Sequence, residues 1–293
     1  MQGSLCVKEG VVYVGNEERT AHLRSFDLDG RELEAGFDFR APGGGRAAVS
    51  GMDLDADHRL WVADAATGIL RAFTLFGAEV ASVEGGEAGD RRGELGVPVD
   101  VVSAGCDDGQ ELLVASRGVR RNAVHLLHLG SGATRALRSL GRPDEPFRRV
   151  RRLARSGPWI WVCETGAGRV QVFREGEFHF CFSLPAAGGA PFEPRALAPL
   201  ADGRLVLAVG GTRGALLLVD ASGRLIRTLC SRGEGEGEVL EPNDLALETG
   251  RADERTRVVV IDSDGDRVQV FTLAGRCYGA FPSLRGPLGE PGP

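Results

Sequence analysis

Residues 257–271 read RVVVIDSDGDRVQVF, a pattern that predicts two short β-strands joined by a tight polar turn. Val258 to Ile261 form the first predicted strand and Val268 to Phe271 the second, because β-branched residues suit a pleated, mostly buried surface. The Asp and Gly residues between them supply turn chemistry.

The same pattern returns through the whole chain. Residues 60–73 read LWVADAATGILRAF and residues 160–173 read IWVCETGAGRVQVF, and weaker copies begin near residues 11, 112 and 205. The first strand of each copy ends at Asn16, Asp64, Ser116, Glu164, Gly210 and Asp262. Those positions are 48, 52, 48, 46 and 52 residues apart. A period of ~40–50 residues with several short strands per unit is typical of a β-propeller.

The sequence therefore predicts an all-β protein, a six-bladed β-propeller with four antiparallel strands per blade. Residues 1–284 form the predicted propeller, and residues 285–293, rich in Pro and Gly, form a predicted disordered tail. The first and last units both contain four predicted strands, so we expect the ring to close by packing of complete blades.

The segments 164–173 and 262–271 resemble the core of NHL repeats, in which an acidic strand end and a Gly/Asn turn precede Arg-Val-Gln-Val-Phe. The segments 192–198 and 240–246 resemble the start of such repeats. The third and fifth units depart from the pattern, at residues 116–122 and 210–214. The resemblance implies the propeller fold and leaves the function open, because propellers host unrelated activities.

Composition places few limits on function. The 293 residues carry a formal charge of −6, and Lys8 is the only lysine, so nearly all positive charge is arginine. The six cysteines show no Cys-x-x-Cys pair, which favours free thiols over disulfides. The chain begins without a signal-peptide pattern and contains no apolar stretch long enough to span a membrane. These features favour a cytoplasmic protein. The histidines lie in predicted outer strands or turns rather than on the innermost strands, and the sequence contains no phosphate-cradling Gly-Lys loop, so we expect neither metal nor cofactor.

Alignment of the innermost predicted strands gathers charged residues at the mouth of the propeller axis. Arg151 and Asn243 lie in the first ring of residues, and Arg152 and Asp244 in the next. Alternation of side chains along a strand predicts that only one of Arg151 and Arg152 faces the axis. The complete set of predicted ligand-binding residues is Arg151, Arg152, Arg195, Arg213, Arg117, Arg121, Asn243, Asp244 and Asp262.

Two interpretations of this mouth remain open. The arginines could bind an anionic small molecule or an acidic protein segment through charge-assisted hydrogen bonds. Alternatively, the charges pair with one another across blades and only solvate the rim. The arginine clusters 117–121 and 148–155 could also attract single-stranded RNA, but the net charge is negative and only 6% of residues are aromatic. Nucleic acid is therefore a weaker expectation.

An enzymatic alternative comes from six-bladed lactonases of the gluconolactonase type, which hold a divalent cation on the axis. Residues 241–244 resemble one of their ligand segments, with Asn243 as the candidate ligand. Arg151 and Arg195 stand where further oxygen ligands are expected, and arginines repel a cation. The preferred hypothesis is a non-catalytic binding scaffold, and a metal-dependent hydrolase is the alternative.

Overall fold

The computed structural model describes residues 3–16, 22–39, 47–84, 95–103, 111–118, 122–142, 144–184, 192–248, 253–264 and 266–281. Arg121, Cys106 and the predicted tail lie outside these ranges. The described strands form six four-stranded antiparallel sheets, so the predicted all-β, six-bladed fold is confirmed.

Each blade takes its four strands consecutively from the chain. Blade 1 contains β1 (Gly3–Lys8), β2 (Val11–Asn16), β3 (His22–Asp27) and β4 (Glu32–Asp38). Blade 2 contains β5 (Val49–Leu54), β6 (Leu60–Asp64), β7 (Ile69–Phe73) and β8 (Glu79–Glu84). Blade 3 contains β9 (Val97–Ser103), β10 (Glu111–Arg117), β11 (Asn122–His128) and β12 (Thr134–Ala136).

The other three blades repeat this order. Blade 4 contains β13 (Val150–Ser156), β14 (Trp159–Glu164), β15 (Arg169–Arg174) and β16 (Glu177–Phe182). Blade 5 contains β17 (Pro194–Pro199), β18 (Leu205–Val209), β19 (Ala215–Val219) and β20 (Leu225–Cys230). Blade 6 contains β21 (Pro242–Glu248), β22 (Arg257–Asp262), β23 (Arg267–Thr272) and β24 (Cys277–Ala280).

The core lies between the blades. Six hydrophobic clusters occupy the six junctions between neighbouring blades. The middle strands read as continuous apolar runs, such as Leu205–Val209, because a neighbouring blade covers each of their faces. Leu5 and Val14 of blade 1 pack with Ile261 and Val270 of blade 6. The ring thus closes by packing of two complete blades, as the sequence predicts.

The cysteines follow the free-thiol prediction in the described part of the chain. Cys6, Cys163 and Cys230 are buried, whereas Cys277 is half-buried and Cys181 is exposed. Burial raises the pKa of the Cys230 thiol to about 12, which keeps it neutral.

The innermost strands define two faces of the disc. We call the front face the one at which β1, β5, β9, β13, β17 and β21 begin, and the back face the one at which they end. The turns between second and third strands also lie on the front face, because antiparallel strands alternate in direction.

Candidate functional site

A bulge interrupts five of the six innermost strands near the front face. The pairing with the second strand skips Ser50 in blade 2, Val99 in blade 3, Arg195 in blade 5 and Asn243 in blade 6. In blade 4 two residues, Arg151 and Arg152, lie opposite the single residue Cys163, so β13 also holds one extra residue. Bulges redirect side chains and are common beside functional sites. The first ring predicted from the sequence is therefore a ring of bulge residues.

The bulge of blade 4 makes the alternation prediction for its two arginines wrong. Arg151 Nη2 donates to Asn243 Oδ1 in blade 6, at 3.2 Å. Arg152 Nη2 donates to the carbonyl of Gly3 in blade 1, at 2.9 Å. Both side chains thus reach beyond the neighbouring blades, because the bulge removes the alternation that separates consecutive residues in a regular strand.

Arg152 lies at the centre of a buried polar group that we call the axial cluster, formed by Ser4, Asp100, Arg152 and Asp244. The guanidinium Nη1 donates to the carbonyl of Ser50 at 2.6 Å. Its Nε lies 2.9 Å from Asp244 Oδ1, and its Nη1 lies 3.9 Å from Asp100 Oδ1. The side chain of Arg152 is only 11% exposed. This arginine therefore connects blade 4 with blades 1, 2, 3 and 6.

The other members of the axial cluster link neighbouring blades through backbone N–H groups of the innermost strands. Asp244 Oδ2 accepts from Ser4 Oγ at 2.9 Å and from the Leu5 N–H at 3.0 Å. Ser4 Oγ accepts from the Met52 N–H at 3.1 Å. Asp100 Oδ2 accepts from the Leu153 N–H at 2.7 Å. The axial cluster is thus a structural junction of the ring.

Burial raises the pKa of two carboxyl groups on the axis. The pKa of Asp100 rises to about 7, because burial and nearby Asp244 outweigh Arg152 and the backbone N–H donors. The pKa of Asp53, also on an innermost strand, rises to about 6, again because of burial. Both groups exchange protons near neutral pH, which gives the fold a pH dependence.

We expect the free energy of unfolding to fall by about 1–2 kcal/mol between pH 6 and pH 8. The folded protein holds a proton on Asp100 that the unfolded chain has already released, so this stability disappears as the pH rises through 7. Burial lowers the pKa of His125 to about 4, so its contribution to the free energy of unfolding is lost only as the pH falls below about 6.5. Urea unfolding at pH 6, 7 and 8 measures the slope. Asp100→Asn should largely flatten it, and an unchanged slope would refute the assignment.

The acidic residues that end the second strands have a separate structural role. Asp262 is fully buried and accepts from the N–H groups of Leu240 and Glu241 at 3.0 and 2.8 Å. Asp64 and Glu164 accept in the same way from the residues before β5 and β13. The acid of the repeat thus fixes the segment that enters each blade. Asp262 does not contribute exposed charge to the front face.

The remaining predicted site residues divide into paired and exposed groups. Arg195 lies 3.1 Å from Glu193 and also pairs with Glu241. Arg213 is half-buried in the turn after β18, and Arg117 is exposed at the end of β10. Arg152 and Arg195 therefore form ion pairs with carboxylates of the protein itself, as the second interpretation of the mouth expected. Ligand binding by any of the nine residues stays a prediction.

Exposed positive charge collects on the front face of blades 3 and 4, in a group that we call the arginine sector: Arg117, Arg148 and Arg149. Arg117 pairs with Asn122, and Asn122 forms a bridge with Phe147, which precedes Arg148. The Arg148 side chain is 62% exposed, with Glu145 3.8 Å away. Within the described ranges, no carboxylate lies within salt-bridge distance of Arg117 or Arg149. Half-buried Arg151 lies at the inner end of this sector.

Arg149 has a backbone conformation that non-glycine residues rarely adopt, with φ of 53°. This conformation allows the carbonyls of Arg148 and Arg149 to accept from the N–H groups of Gly166 and Thr165, at 3.1 and 3.2 Å. The 165–166 turn thereby holds both exposed arginines on the rim. A maintained backbone outlier of this kind is often found at functional sites.

A cavity of about 290 Å³ lies on the opposite side of the axial cluster. Its lining runs from Ser4, Asp100, Arg152 and Asp244 to Val7, Ser156 and Leu247, near the back-face ends of the innermost strands. The sequence prediction placed the ligand at the front mouth and contained no indication of this cavity. Arg152, brought onto the axis by the bulge of blade 4, stands between the mouth and the cavity.

The residues present do not fit the axial cation of the lactonase alternative. Asn243 Oδ1, the candidate ligand atom, accepts from Arg151, and its Nδ2 donates to Ser263 Oγ at 2.5 Å. The guanidinium of Arg152 fills the adjacent position on the axis. Within the described ranges, no three His, Cys, Asp or Glu residues are placed to hold a metal ion.

Comparison with known proteins supports the fold alone. No protein-family profile matches the chain, and no curated protein matches it. A catalytically inactive virginiamycin B lyase from Staphylococcus aureus, with quinupristin, has a TM-score of 0.61 at 13% identity, over 97% of this chain and 84% of that chain. A protein of unknown function from Bacteroides caccae has a TM-score of 0.62 at 12% identity, over 92% and 93%.

A chain of a nidogen/laminin complex has a TM-score of 0.61 at 14% identity, over 94% of this chain and 92% of that chain. One of these structural neighbours is thus an enzyme and another comes from a protein complex. Among the described residues, no helix is long and apolar enough to cross a membrane. The NHL resemblance remains a resemblance, and the comparisons show a likeness of fold between these neighbours and the six-bladed β-propeller of this chain.

Proposed function

We propose that the protein is a non-catalytic binding scaffold whose arginine sector binds a carboxylate- or phosphate-bearing ligand, either a small molecule or an acidic protein segment. The observation that supports the proposal is the exposure of Arg117, Arg148 and Arg149 on one rim, beside half-buried Arg151. Arginine presents planar, bidentate donors that match these anions.

Fewer arginines are available to a ligand than the sequence analysis expected at the mouth. Arg152 and Arg195 already donate to groups of the protein, so breaking their contacts for a ligand would cost stability. In the arginine sector, Arg117 and Arg149 can bind a ligand without breaking an ion pair of the described part of the protein. Binding at this exposed rim should be weakened by salt, since screening acts on exposed charges.

Single-stranded RNA is less consistent with this surface, because sequence-tolerant RNA binding uses exposed aromatic platforms. Within the described ranges, the large exposed aromatic residues are Phe76 and Tyr278. They lie in the hairpin before β8 and on β24, in blades 2 and 6. The arginine sector on blades 3 and 4 contains neither.

The triple variant Arg117→Ala, Arg148→Ala, Arg149→Ala should bind poly-L-glutamate or citrate at least about tenfold more weakly than the wild type, at low salt, measured by calorimetry. Three lost charge contacts of ~0.5 kcal/mol each give this loss. The matched control replaces exposed Arg31, Arg224 and Arg227, which removes the same charge elsewhere. Equal losses in both variants would show a nonspecific charge effect and refute the site, as would tighter binding of poly(U) than of poly-L-glutamate.

A further inference from the structure

The cavity on the back-face side of the axial cluster has the size and lining of a small-molecule binding site. Its volume of about 290 Å³ is close to the lower end of the ~300–1,000 Å³ range of ligand pockets. Each innermost strand contributes at least one large apolar residue to the lining, among them Leu5, Met52, Val101, Leu153, Leu197 and Leu245. Polar groups collect at the end formed by the axial cluster and at Asp53.

Asp53 is held in a fixed orientation in the wall of the cavity. Its Oδ2 accepts from the Ser103 N–H at 2.8 Å and from Ser103 Oγ at 2.9 Å. Its Oδ1 accepts from the Leu54 N–H at 2.9 Å. Each carboxylate oxygen can accept two hydrogen bonds, so Oδ1 retains capacity for a ligand donor. The residue is half-buried, consistent with access from the cavity.

At pH 8 the charges around the cavity leave an excess of negative charge. The carboxyl groups of Asp53, Asp100 and Asp244 line the cavity together with the guanidinium of Arg152, and Lys8 on β1 lies near Asp53 with its Nζ donating to the Asp55 carbonyl at 2.6 Å. The other lining cation, Arg155, is paired with Glu111 at 2.7 Å. Neighbouring Cys6 keeps its proton, because burial raises its pKa. At pH 8, above the pKa of about 7 of Asp100, the carboxyl groups of these three aspartates therefore outnumber the two cationic groups of Arg152 and Lys8.

We propose that this cavity is a second binding site, separate from the arginine sector, and that it takes a small organic cation. An ammonium head would donate to Asp53 Oδ1, and a short hydrocarbon body would pack against the six aliphatic residues. A bare metal ion suits the site less, since the guanidinium of Arg152 already occupies its polar end. This inference does not depend on the proposed function of the front face.

The test uses calorimetry with the full chain and n-butylammonium as the probe, with n-butanol, butyrate and Ca²⁺ for comparison. Only the ammonium ion should bind at pH 8, and its affinity should fall about tenfold at pH 5. The pKa of Asp53 is about 6, so only about a tenth of its carboxyl groups are ionised at pH 5. Binding of butanol, butyrate or Ca²⁺ as tight as that of the ammonium ion would overturn the proposal.

Two variants locate the site. Asp53→Asn preserves the shape and should weaken ammonium binding at least about tenfold, whereas Ser103→Ala, which only positions Asp53, should weaken it less. The triple arginine variant of the front face should bind the ammonium ion like the wild type. Unchanged affinity in Asp53→Asn would overturn the proposal. If that variant does not fold, a pH-independent affinity of the wild type would overturn it instead.

Discussion

Arg152→Ala is expected to lower the free energy of unfolding by about 3–5 kcal/mol, the range for breaking a buried ion pair from one side. The variant loses the hydrogen bonds to the carbonyls of Gly3 and Ser50, and leaves Asp244 buried without its cation. Urea unfolding at pH 7.5 measures the change. Arg152→Lys should recover little of the loss, because an ammonium group lacks the planar fork that reaches several acceptors.

Arg151→Ala is the matched control, since the neighbouring arginine contacts Asn243 across the axis through a hydrogen bond of 3.2 Å. We expect a cost of about 1 kcal/mol there. A double-mutant cycle between Arg152→Ala and Asp244→Asn should give a coupling energy above about 1 kcal/mol. A stability of Arg152→Ala within about 1 kcal/mol of the wild type would contradict a structural role and return Arg152 to the predicted ligand-binding set.

Gly51→Ala should cost about 3 kcal/mol or more, by steric collision rather than by loss of a hydrogen bond. A Cβ on Gly51 would lie within van der Waals overlap of Asp100, 2.6 Å from its Cα. The Cα belongs to the innermost strand of blade 3, so rotation of a side chain cannot relieve the contact. Blades 2 and 3 must separate, which also disturbs the bond from Leu153 N–H to Asp100.

Gly132→Ala is the control for the conformational freedom of glycine. Gly132 has φ of 66°, and a Cβ added there would meet no atom within 4 Å, so its replacement tests backbone strain without a collision. We expect about 1 kcal/mol for that variant. Thermal and urea unfolding compare the two. Equal costs at Gly51 and Gly132 would show that close approach of the blades is not the reason for glycine at position 51.

The architecture could be predicted from the sequence because the same strand-turn-strand pattern occurs in each blade. The period near 49 residues, the acidic strand ends and the polar turns predict six blades, and the described sheets agree. The repeated acids Asp64, Glu164 and Asp262 also share one role. Each accepts hydrogen bonds from backbone N–H groups inside the fold. A repeat therefore predicts the position of a residue in the fold better than it predicts the contacts of that residue.

The candidate site was less predictable, because contacts across the axis join residues far apart in the chain. Arg152 and Gly3 are separated by 149 positions, and no local pattern links them. Bulges at Ser50, Asn243 and the two blade 4 arginines also break the alternation on which side-chain directions were predicted. Alignment of the innermost strands did place Arg152 and Asp244 in one ring, which was the sequence signal for the axial cluster.

The most direct test of the proposed function is hydrogen–deuterium exchange of the wild type with and without poly-L-glutamate at low salt. We predict slower exchange in the peptides that contain Arg117 and residues 147–151, with the back face unchanged. The triple arginine variant should show no such protection, whereas the Arg31, Arg224 and Arg227 control variant should retain it. Protection confined to other blades or to the back face, or none at saturating ligand, would contradict the arginine sector as the binding surface.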